Sequence, residues 1–264
     1  RAIEVLESEG IISPADGDKP RTVIERYKRN SVIREENAFK WYKLSAEQGN
    51  SEAQYKVGLM LENGAGIGKN ETESFKWYKS ASEQGHASAL WKMGMCCLNG
   101  IGTNADSLSA VECFIKSAEK GDSGGYNSLG DCFYNGKGVA QDYTEAVKWY
   151  KLGAEQGHAD AQKNLGNCYY NGQGVVQDYE EAIKWYKLAA EQGNLYAQIN
   201  LGLFYKDGKG VAQDYKEAVK WYKLSAENGI AESRFWLGWH YVQGYGITQN
   251  YTIASKWFRL AADE

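Results

Sequence analysis

Apolar and small residues recur with helical spacing between residues 159 and 193. In the first half of this stretch, Ala161, Leu165 and Tyr169 lie four residues apart, which places them on one face of a helix that we call helix A. In the second half, apolar residues follow the spacing i, i+3, i+4, i+7 and i+8, which is typical of a helix with one buried side. The residues of this helix B stripe are Ala182, Trp185, Tyr186, Ala189 and Ala190.

Capping residues predict where the two helices begin and end. Gly172 follows Asn171 at the end of helix A, and glycine readily adopts the left-handed conformation of a C-terminal cap. Asp178 precedes helix B, and Glu181 follows three residues later, which is an Asp version of the capping box. The same pairing recurs as Asp142/Glu145, Asp214/Glu217 and Asn70/Glu73.

This two-helix pattern returns every 36 residues along most of the chain. A tripeptide Glu-Gln-Gly, or a close variant, ends each copy at Gly49, Gly85, Gly121, Gly157, Gly193 and Gly229. One helix pair cannot close a core alone, whereas stacked pairs bury a continuous one. We therefore predict an all-α fold, a right-handed superhelical solenoid of stacked antiparallel helix pairs.

The repeat pattern also predicts the domain organisation. Six repeats occupy residues 51–264, and residues 1–50 form an N-terminal helical cap with a degenerate repeat. The chain begins with Arg rather than Met, which indicates a processed or truncated product. Within the cap we expect a helix at Arg1–Glu9, a linker at Gly10–Pro20, a degenerate A helix at Thr22–Asn30 and a B-type helix at 35–48.

The repeated columns resemble the Sel-1-like repeat family, a relative of the tetratricopeptide repeats. The resemblance covers roughly residues 35–264 and rests on the columns Ala-Gln-x-Asn-Leu-Gly-x-x-Tyr-x-x-Gly-x-Gly-Val and Asp-Tyr-x-x-Ala-x-x-Trp-Tyr-Lys-x-Ala-Ala-Glu-Gln-Gly. It implies a non-catalytic scaffold or adaptor that binds a protein or peptide in a concave groove. Some bacterial members are immunity proteins against secreted effectors, so an inhibitor or immunity role is the alternative.

Composition and charge narrow the range of partners. The 30 basic and 34 acidic residues leave a net charge of −4, whereas nucleic-acid binding usually needs a basic excess. No stretch approaches the roughly 20 apolar residues of a membrane span. We therefore expect a protein partner, no nucleic acid and no membrane span. We also expect a monomer unless a capping surface self-associates.

One pentapeptide, Gly121-Asp122-Ser123-Gly124-Gly125, looks like the nucleophile loop of a serine hydrolase. A hydrolase using Ser123 would also need a His base and an acid on a strained scaffold. The pentapeptide instead falls on the turn between repeats, in phase with Gly157-His158-Ala159. We therefore predict a protein that is not an enzyme and uses no cofactor, with the hydrolase as a remote alternative.

Histidines and cysteines give no pattern typical of a metal site. The three histidines do not cluster, and metal binding needs several converging ligands. The five cysteines are odd in number, which argues against a complete disulfide framework, although the spacing leaves a Cys96–Cys113 bond open. Reduced thiols favour the cytoplasm, whereas a removed signal peptide would point to the periplasm or the outside.

Two columns on the A helices are predicted to face the concave groove, because the apolar stripe of the helix does not use them. They hold apolar residues near both ends of the repeat array and polar residues in the middle. Large apolar residues there are typical anchors for a partner. The predicted groove residues are Tyr55, Leu59, Trp91, Met95, Asp131, Lys163, Tyr196, Ile199, Leu203, Phe235 and Trp239.

The aromatic residues of the last A helix have a second interpretation. Phe235, Trp236 and Trp239 could pack against a capping element of the same protein instead of a partner. An exposed apolar patch usually marks a contact of some kind, and the sequence leaves the identity of that contact open.

Overall fold

The computed structural model describes residues 20–263, with side chains from residue 34 onward. The predicted helix Arg1–Glu9 and nearly all of the predicted linker Gly10–Pro20 lie outside the described residues. Over the described range the secondary structure is all α-helical. The helices are α1 (Pro20–Glu47), α2 (Ser51–Asn63), α3 (Glu71–Glu83), α4 (Ala87–Asn99), α5 (Ser107–Glu119), α6 (Ser123–Asn135), α7 (Tyr143–Glu155), α8 (Ala159–Asn171), α9 (Tyr179–Glu191), α10 (Leu195–Asp207), α11 (Tyr215–Glu227), α12 (Ala231–Gln243) and α13 (Tyr251–Ala262).

The first helix differs from the prediction. The expected A helix at Thr22–Asn30 and the expected B helix at 35–48 form one continuous helix, α1. The reason lies in the sequence, because neither glycine nor proline interrupts residues 21–48. Pro20 stands at the first helical position, where proline is favoured.

The chain divides into two compact units, Arg1–Cys113 and Phe114–Glu264. In unit 1, α1, α2 and α3 each pack against the next helix in the chain. In unit 2, each helix from α6 to α12 does the same. Each unit is therefore a stack of helix pairs, with A helices (α2, α4, α6, α8, α10 and α12) alternating with B helices, as the solenoid prediction requires.

Tyrosines of the B helices, rather than tryptophans, form the fully buried aromatic column. Tyr78, Tyr150, Tyr186 and Tyr222 have at most 2% of their surface exposed, whereas Trp41 is 72% exposed. The sequence placed Trp185 in the buried stripe of helix B, whereas the structure leaves it half-buried beside the fully buried Tyr186. The reason is that the A-helix glycines leave a flat surface for the tyrosine ring: a Cβ on Gly130 would lie 2.5 Å from Tyr150 Cδ1.

The second glycine of several A-to-B loops touches the backbone of the preceding repeat. Gly174 has a φ of +73°, and a Cβ there would lie 2.1 Å from the Tyr143 carbonyl oxygen. Gly102 has the same relation to the Glu71 carbonyl oxygen, with a Cβ distance of 2.2 Å. These positions require glycine for two independent reasons, a left-handed backbone and a close approach.

Glutamines join successive repeats through a second set of contacts. Gln162 Nε2 donates to the Ala154 carbonyl at 3.1 Å, and Gln162 Oε1 accepts from Gln192 Nε2 at 2.7 Å. Gln54 makes the equivalent bonds to Ala46 and Gln84 in unit 1. Each of these glutamines thus donates a hydrogen bond to a carbonyl near the end of one B helix. It also accepts a hydrogen bond from the glutamine that caps the next B helix.

A candidate protein-binding face on the A helices

The predicted groove residues of unit 1 are half-buried on α2 and α4. Tyr55 stacks on His86, with ring centroids 4.8 Å apart, and lies 5.9 Å from the Tyr78 ring. His86 is the N-cap of α4, so this column lies at the boundary between successive A helices. Leu59, Trp91 and Met95 are also half-buried.

The predicted groove residues of unit 2 separate into exposed and covered positions. Tyr196 is 63% exposed and Phe235 is 48% exposed. Lys163, Leu203 and Trp239 are half-buried. These five A-helix positions leave polar and aromatic atoms within reach of another molecule.

One groove prediction is wrong. Ile199 is only 3% exposed and belongs to the core of unit 2. Its column lies at the boundary between neighbouring A helices, as Tyr55 shows in unit 1, so a compact aliphatic side chain there is covered. Longer side chains in the same column, such as Lys163 and Phe235, still reach solvent.

The aromatic residues of α12 form a connected cluster at the last repeat. Phe235 lies 5.5 Å from Trp236 and 5.7 Å from Phe258 of α13, measured between ring centroids. Trp239 packs at 5.4 Å against Tyr245 of the following loop. Phe235 is the exposed member of the cluster, whereas Trp236 and Trp239 are partly covered by their own molecule.

Asp131 lies in a polar pocket of about 190 Å³ between α6, α7 and α8. Tyr150 Oη donates to Asp131 Oδ1 at 2.7 Å, and Asn164 Nδ2 donates to the same oxygen at 3.2 Å. Asn127 Nδ2 donates to Oδ2 at 3.2 Å. Burial raises the pKa of the Asp131 carboxyl above its usual value, while the hydrogen bond from Tyr150 and the charge of Lys163 act in the opposite direction. We call this site the Asp131 pocket.

A related site in unit 1, which we call the Glu62 pocket, lies at Tyr78, the counterpart of Tyr150. Its acid stands three residues later in the repeat than Asp131 does, because Leu59 occupies the Asp131 position. Tyr78 Oη donates to Glu62 Oε2, as Tyr150 does to Asp131. Lys92 Nζ reaches Glu62 Oε1 at 2.9 Å. Lys92 stands at the same repeat position as Asn164.

One repeat beyond the Asp131 pocket, the same site is more apolar. Its lining includes Tyr170, Tyr186, Leu203 and Phe204 around a volume of about 150 Å³. One repeat further, Trp236 takes the corresponding position and stacks beside Tyr222 at 6.2 Å between ring centroids. The site beside the buried B-helix tyrosine therefore differs between repeats. It contains an ion pair at Tyr78, polar side chains at Tyr150, mainly apolar side chains at Tyr186 and an indole ring at Tyr222.

Sequence reasoning missed these pockets, because it treated the outer A-helix columns as free of structural demands. The sequence does contain a signal for them, a tyrosine that follows the polar A-helix residue by 19 positions. Asp131 and Asn167 are each followed at that distance by a tyrosine, Tyr150 and Tyr186, whose hydroxyl donates to them. Leu203 cannot accept such a bond, and the buried Tyr222 hydroxyl finds no partner within the described part of the chain.

Ser123 begins α6, and its surroundings are those of a helix start. Asp122 is the N-cap, and its side chain accepts a hydrogen bond from the Gly125 amide. A Cβ at position 125 would lie 2.7 Å from Ser117 Oγ, so packing explains that glycine.

The three histidines are engaged elsewhere. His86 and His158 cap α4 and α8, and His240 bonds to the Tyr245 carbonyl at 2.9 Å. The geometry therefore gives the hydrolase alternative no support.

All five cysteines are buried. Cys96 is a free thiol, so the Cys96–Cys113 bond that the spacing left open is not formed. Burial raises the pKa of Cys132 to about 11 and that of Cys168 to about 12, which keeps both as protonated thiols at neutral pH.

Neither a metal site nor a membrane span is present among the described residues. They contain no group of three or more His, Cys, Asp or Glu placed to hold a metal ion. In the same part of the chain, none of the helices combines the length and the apolar character that crossing a bilayer would need.

Solved structures with the same architecture include two sequence relatives. A Sel1 repeat protein from Oxalobacter formigenes is 30% identical, with a TM-score of 0.79 over 89% of this chain and 98% of that one. A protective antigen of uropathogenic Escherichia coli that displays an SLR fold is 36% identical, with a TM-score of 0.77 over 85% of this chain. This chain spans about half of that antigen, 48% of its length.

A more distant structure shares the fold. An immunity protein from Pseudomonas aeruginosa is 19% identical, with a TM-score of 0.54 over 81% of each chain. The comparison with curated proteins gave no match.

The family model for the Sel1 repeat matches seven consecutive segments. They are residues 31–50, 51–86, 87–122, 124–158, 159–194, 195–230 and 231–264. These segments cover most of the chain and follow the 36-residue period of the sequence. The chain therefore belongs to the Sel1 repeat family.

Proposed function

We propose that this chain is a non-catalytic adaptor that binds a protein partner on the A-helix face of unit 2. Sel1 repeat proteins generally mediate protein–protein interactions, and the repeat is generally a non-catalytic scaffold. The observation that carries the proposal is the exposure of two large aromatic side chains, Tyr196 on α10 and Phe235 on α12.

Burial of these two rings against a partner would supply the binding energy. Aromatic anchors at the centre of an interface commonly contribute about 2 kcal/mol or more when they become desolvated. Phe235 already rests with one side on Trp236 and Phe258, which limits its freedom before binding. A preordered anchor loses less conformational entropy when the partner arrives.

Trp239 is less suitable than Tyr196 and Phe235 for testing the proposal by substitution, because its own molecule partly covers it. Its contacts with Trp236, His240 and Tyr245 give it a role in the stability of the last repeat. Replacing Trp239 would therefore confuse lost binding with lost folding. Tyr196 and Phe235 are the better probes, because each has about half or more of its surface in solvent.

The test compares partner recovery by the purified chain and its variants from an extract of the source organism. Tyr196→Ala plus Phe235→Ala should reduce recovery at least tenfold with little change in melting temperature. Tyr251→Ala is the matched control, because Tyr251 is 65% exposed but begins a B helix. Equal recovery by the double variant and the control would refute the proposed face.

The immunity role stays an alternative within the same binding class. It predicts that the recovered partner is a toxic effector whose activity the chain inhibits. An inhibition assay on the recovered partner separates this role from that of a scaffold, which leaves the partner's activity unchanged.

A further inference from the structure

The Asp131 pocket contains a carboxylate without a cation in contact with it. Asp131 receives hydrogen bonds from one hydroxyl and two amide groups, all of them neutral. No ion pair of Asp131 with a described lysine, arginine or histidine is present, although Lys163 and His158 lie close enough for their charges to lower the pKa of its carboxyl. A carboxylate in such surroundings is stabilised by any cation that reaches it.

A related site in the same chain holds a cation beside the corresponding tyrosine. In the Glu62 pocket, the buried tyrosine hydroxyl and a lysine ammonium share one carboxylate, with Lys92 Nζ at 2.9 Å. Lys92 is only 20% exposed at its side chain, so this ammonium is held inside the pocket and not on the surface. Unit 1 therefore shows that a lysine can bind beside a buried tyrosine and an acid.

Unit 2 has kept the tyrosine, but its acid comes from another position of the A helix and its lysine is replaced. Asp131 stands at the repeat position of Leu59, three residues before the position that Glu62 holds in unit 1. Asn164 stands at the position of Lys92, and its shorter neutral side chain leaves an open volume of about 190 Å³. The lining consists of Asp131, Tyr134, Asn135, Tyr150, Asn164 and Asn167. These side chains offer oxygen acceptors for an ammonium group and two aromatic rings for its methylene stem.

We propose that the Asp131 pocket binds a lysine side chain of the partner protein, in the way that the Glu62 pocket binds Lys92. The inference rests on the proposed function only in taking the ligand to be part of a protein. It names the chemistry of one anchor point on that partner, a basic residue, in addition to the apolar contacts at Tyr196 and Phe235.

The test uses Nα-acetyl-lysine N-methylamide as the probe, and Nα-acetyl-norleucine N-methylamide as its uncharged isostere. Side-chain amide resonances of Asn127 and Asn164 report on the pocket in an NMR titration of the full chain. The lysine probe should give saturable shifts in the millimolar range, weakened by added salt, whereas the norleucine probe should give none.

Two variants and a control locate the effect. Asp131→Asn should weaken binding of the lysine probe at least tenfold, and Asn164→Lys should do the same, because its own ammonium would fill the pocket as Lys92 does. Thr144→Lys adds the same charge at an exposed position and should leave the affinity within twofold. Asn164→Lys keeps the test decisive if Asp131→Asn fails to fold.

Three results would overturn the inference: no saturable shift, equal binding of both probes, or unchanged binding by Asn164→Lys. The probes carry no aromatic anchor. Their failure would therefore leave the proposed face at Tyr196 and Phe235 intact, and loss of that face would leave the lysine titration unaffected.

Discussion

The Glu62 pocket of unit 1 and the Asp131 pocket of unit 2 share a buried tyrosine but take their acids from different positions of the A helix. In both, a buried B-helix tyrosine donates its hydroxyl to a carboxylate of the preceding A helix. In unit 1 the chain adds its own ammonium, from Lys92, whereas in unit 2 the neutral Asn164 stands there. The first arrangement completes a structural contact, and the second leaves an acid that an outside group can reach.

This difference shows how a repeat protein separates folding from recognition. Loop glycines, tyrosine columns and glutamine bonds recur in both units and fix the spacing of the helices. Individual A-helix positions can then change without loss of that spacing. The two pockets differ at three such positions, Leu59/Asp131, Glu62/Tyr134 and Lys92/Asn164, around the same buried tyrosine.

The largest effect is expected from breaking the loop contacts that both pockets depend on. Gly102→Ala in unit 1 and Gly174→Ala in unit 2 would each place a Cβ about 2 Å from a backbone carbonyl, in a left-handed conformation. We expect each to lower the free energy of unfolding by roughly 3 kcal/mol, measured by urea denaturation.

Gly193→Ala is the control for this pair. Gly193 also has a positive φ, +89°, but a Cβ there meets nothing within 4 Å. The substitution should lower the free energy of unfolding by only about 1 kcal/mol, which is the cost of a left-handed backbone for alanine. Equal losses at Gly174 and Gly193 would show that the contact between repeats is unimportant.

A medium effect is expected from exchanging the contents of the two pockets. Lys92→Met leaves the Glu62 carboxylate without its cation and should lower the free energy of unfolding by about 1 kcal/mol, since both side chains are partly exposed. Asn164→Lys should raise it by a similar or smaller amount. If Asn164→Lys destabilises the chain as much as Lys92→Met, the Asp131 pocket does not accommodate an ammonium group.

A smaller effect should appear in the pH dependence of stability. Burial raises the folded-state pKa of Asp131, so the folded state binds a proton more readily than the unfolded state does. Wild type should therefore lose stability relative to Asp131→Asn as the pH rises from the unfolded pKa to the folded pKa, with no further change above it. Denaturation curves between pH 3.5 and 7, roughly the range set by the reference carboxyl pKa, would show this. An opposite slope would mean that Lys163 already compensates the carboxylate.

The smallest effect concerns the glutamine bonds that both units share. Gln198 Oε1 is buried and accepts no hydrogen bond from the described residues, because Asn228 is one methylene too short for the place that Gln192 takes one repeat earlier. Asn228→Gln should restore the bond and raise the free energy of unfolding by about 0.5–1 kcal/mol. The reverse change, Gln192→Asn, should lower the free energy of unfolding by a similar amount. If neither variant changes it, the glutamine bonds do not contribute to stability.

The repeat itself could be predicted from the sequence, because its determinants are local. Asp178 and Gly172 mark the ends of helices through backbone geometry and capping bonds that depend on neighbours only a few residues away. Small A-helix residues also recur with the repeat, and at Gly130 such a residue lets the Tyr150 ring pack closely. These features are the same in every repeat, so six copies reinforce one another.

The binding face was harder to predict, because it depends on contacts between repeats. Ile199 and Phe235 share one column, yet one is buried and the other is exposed. The role of Asp131 depends on Tyr150 and Asn164, which lie 19 and 33 residues away. A pattern that assigns columns to faces cannot show which side chains reach across to the next helix pair.

Site-specific photo-crosslinking tests the central claim, that unit 2 contacts a protein through its A helices. A photoreactive phenylalanine placed at position 235 in the source organism should form a specific adduct with one partner, and the same residue at position 251 should not. Crosslinks at position 251 without any at position 235 would contradict the account.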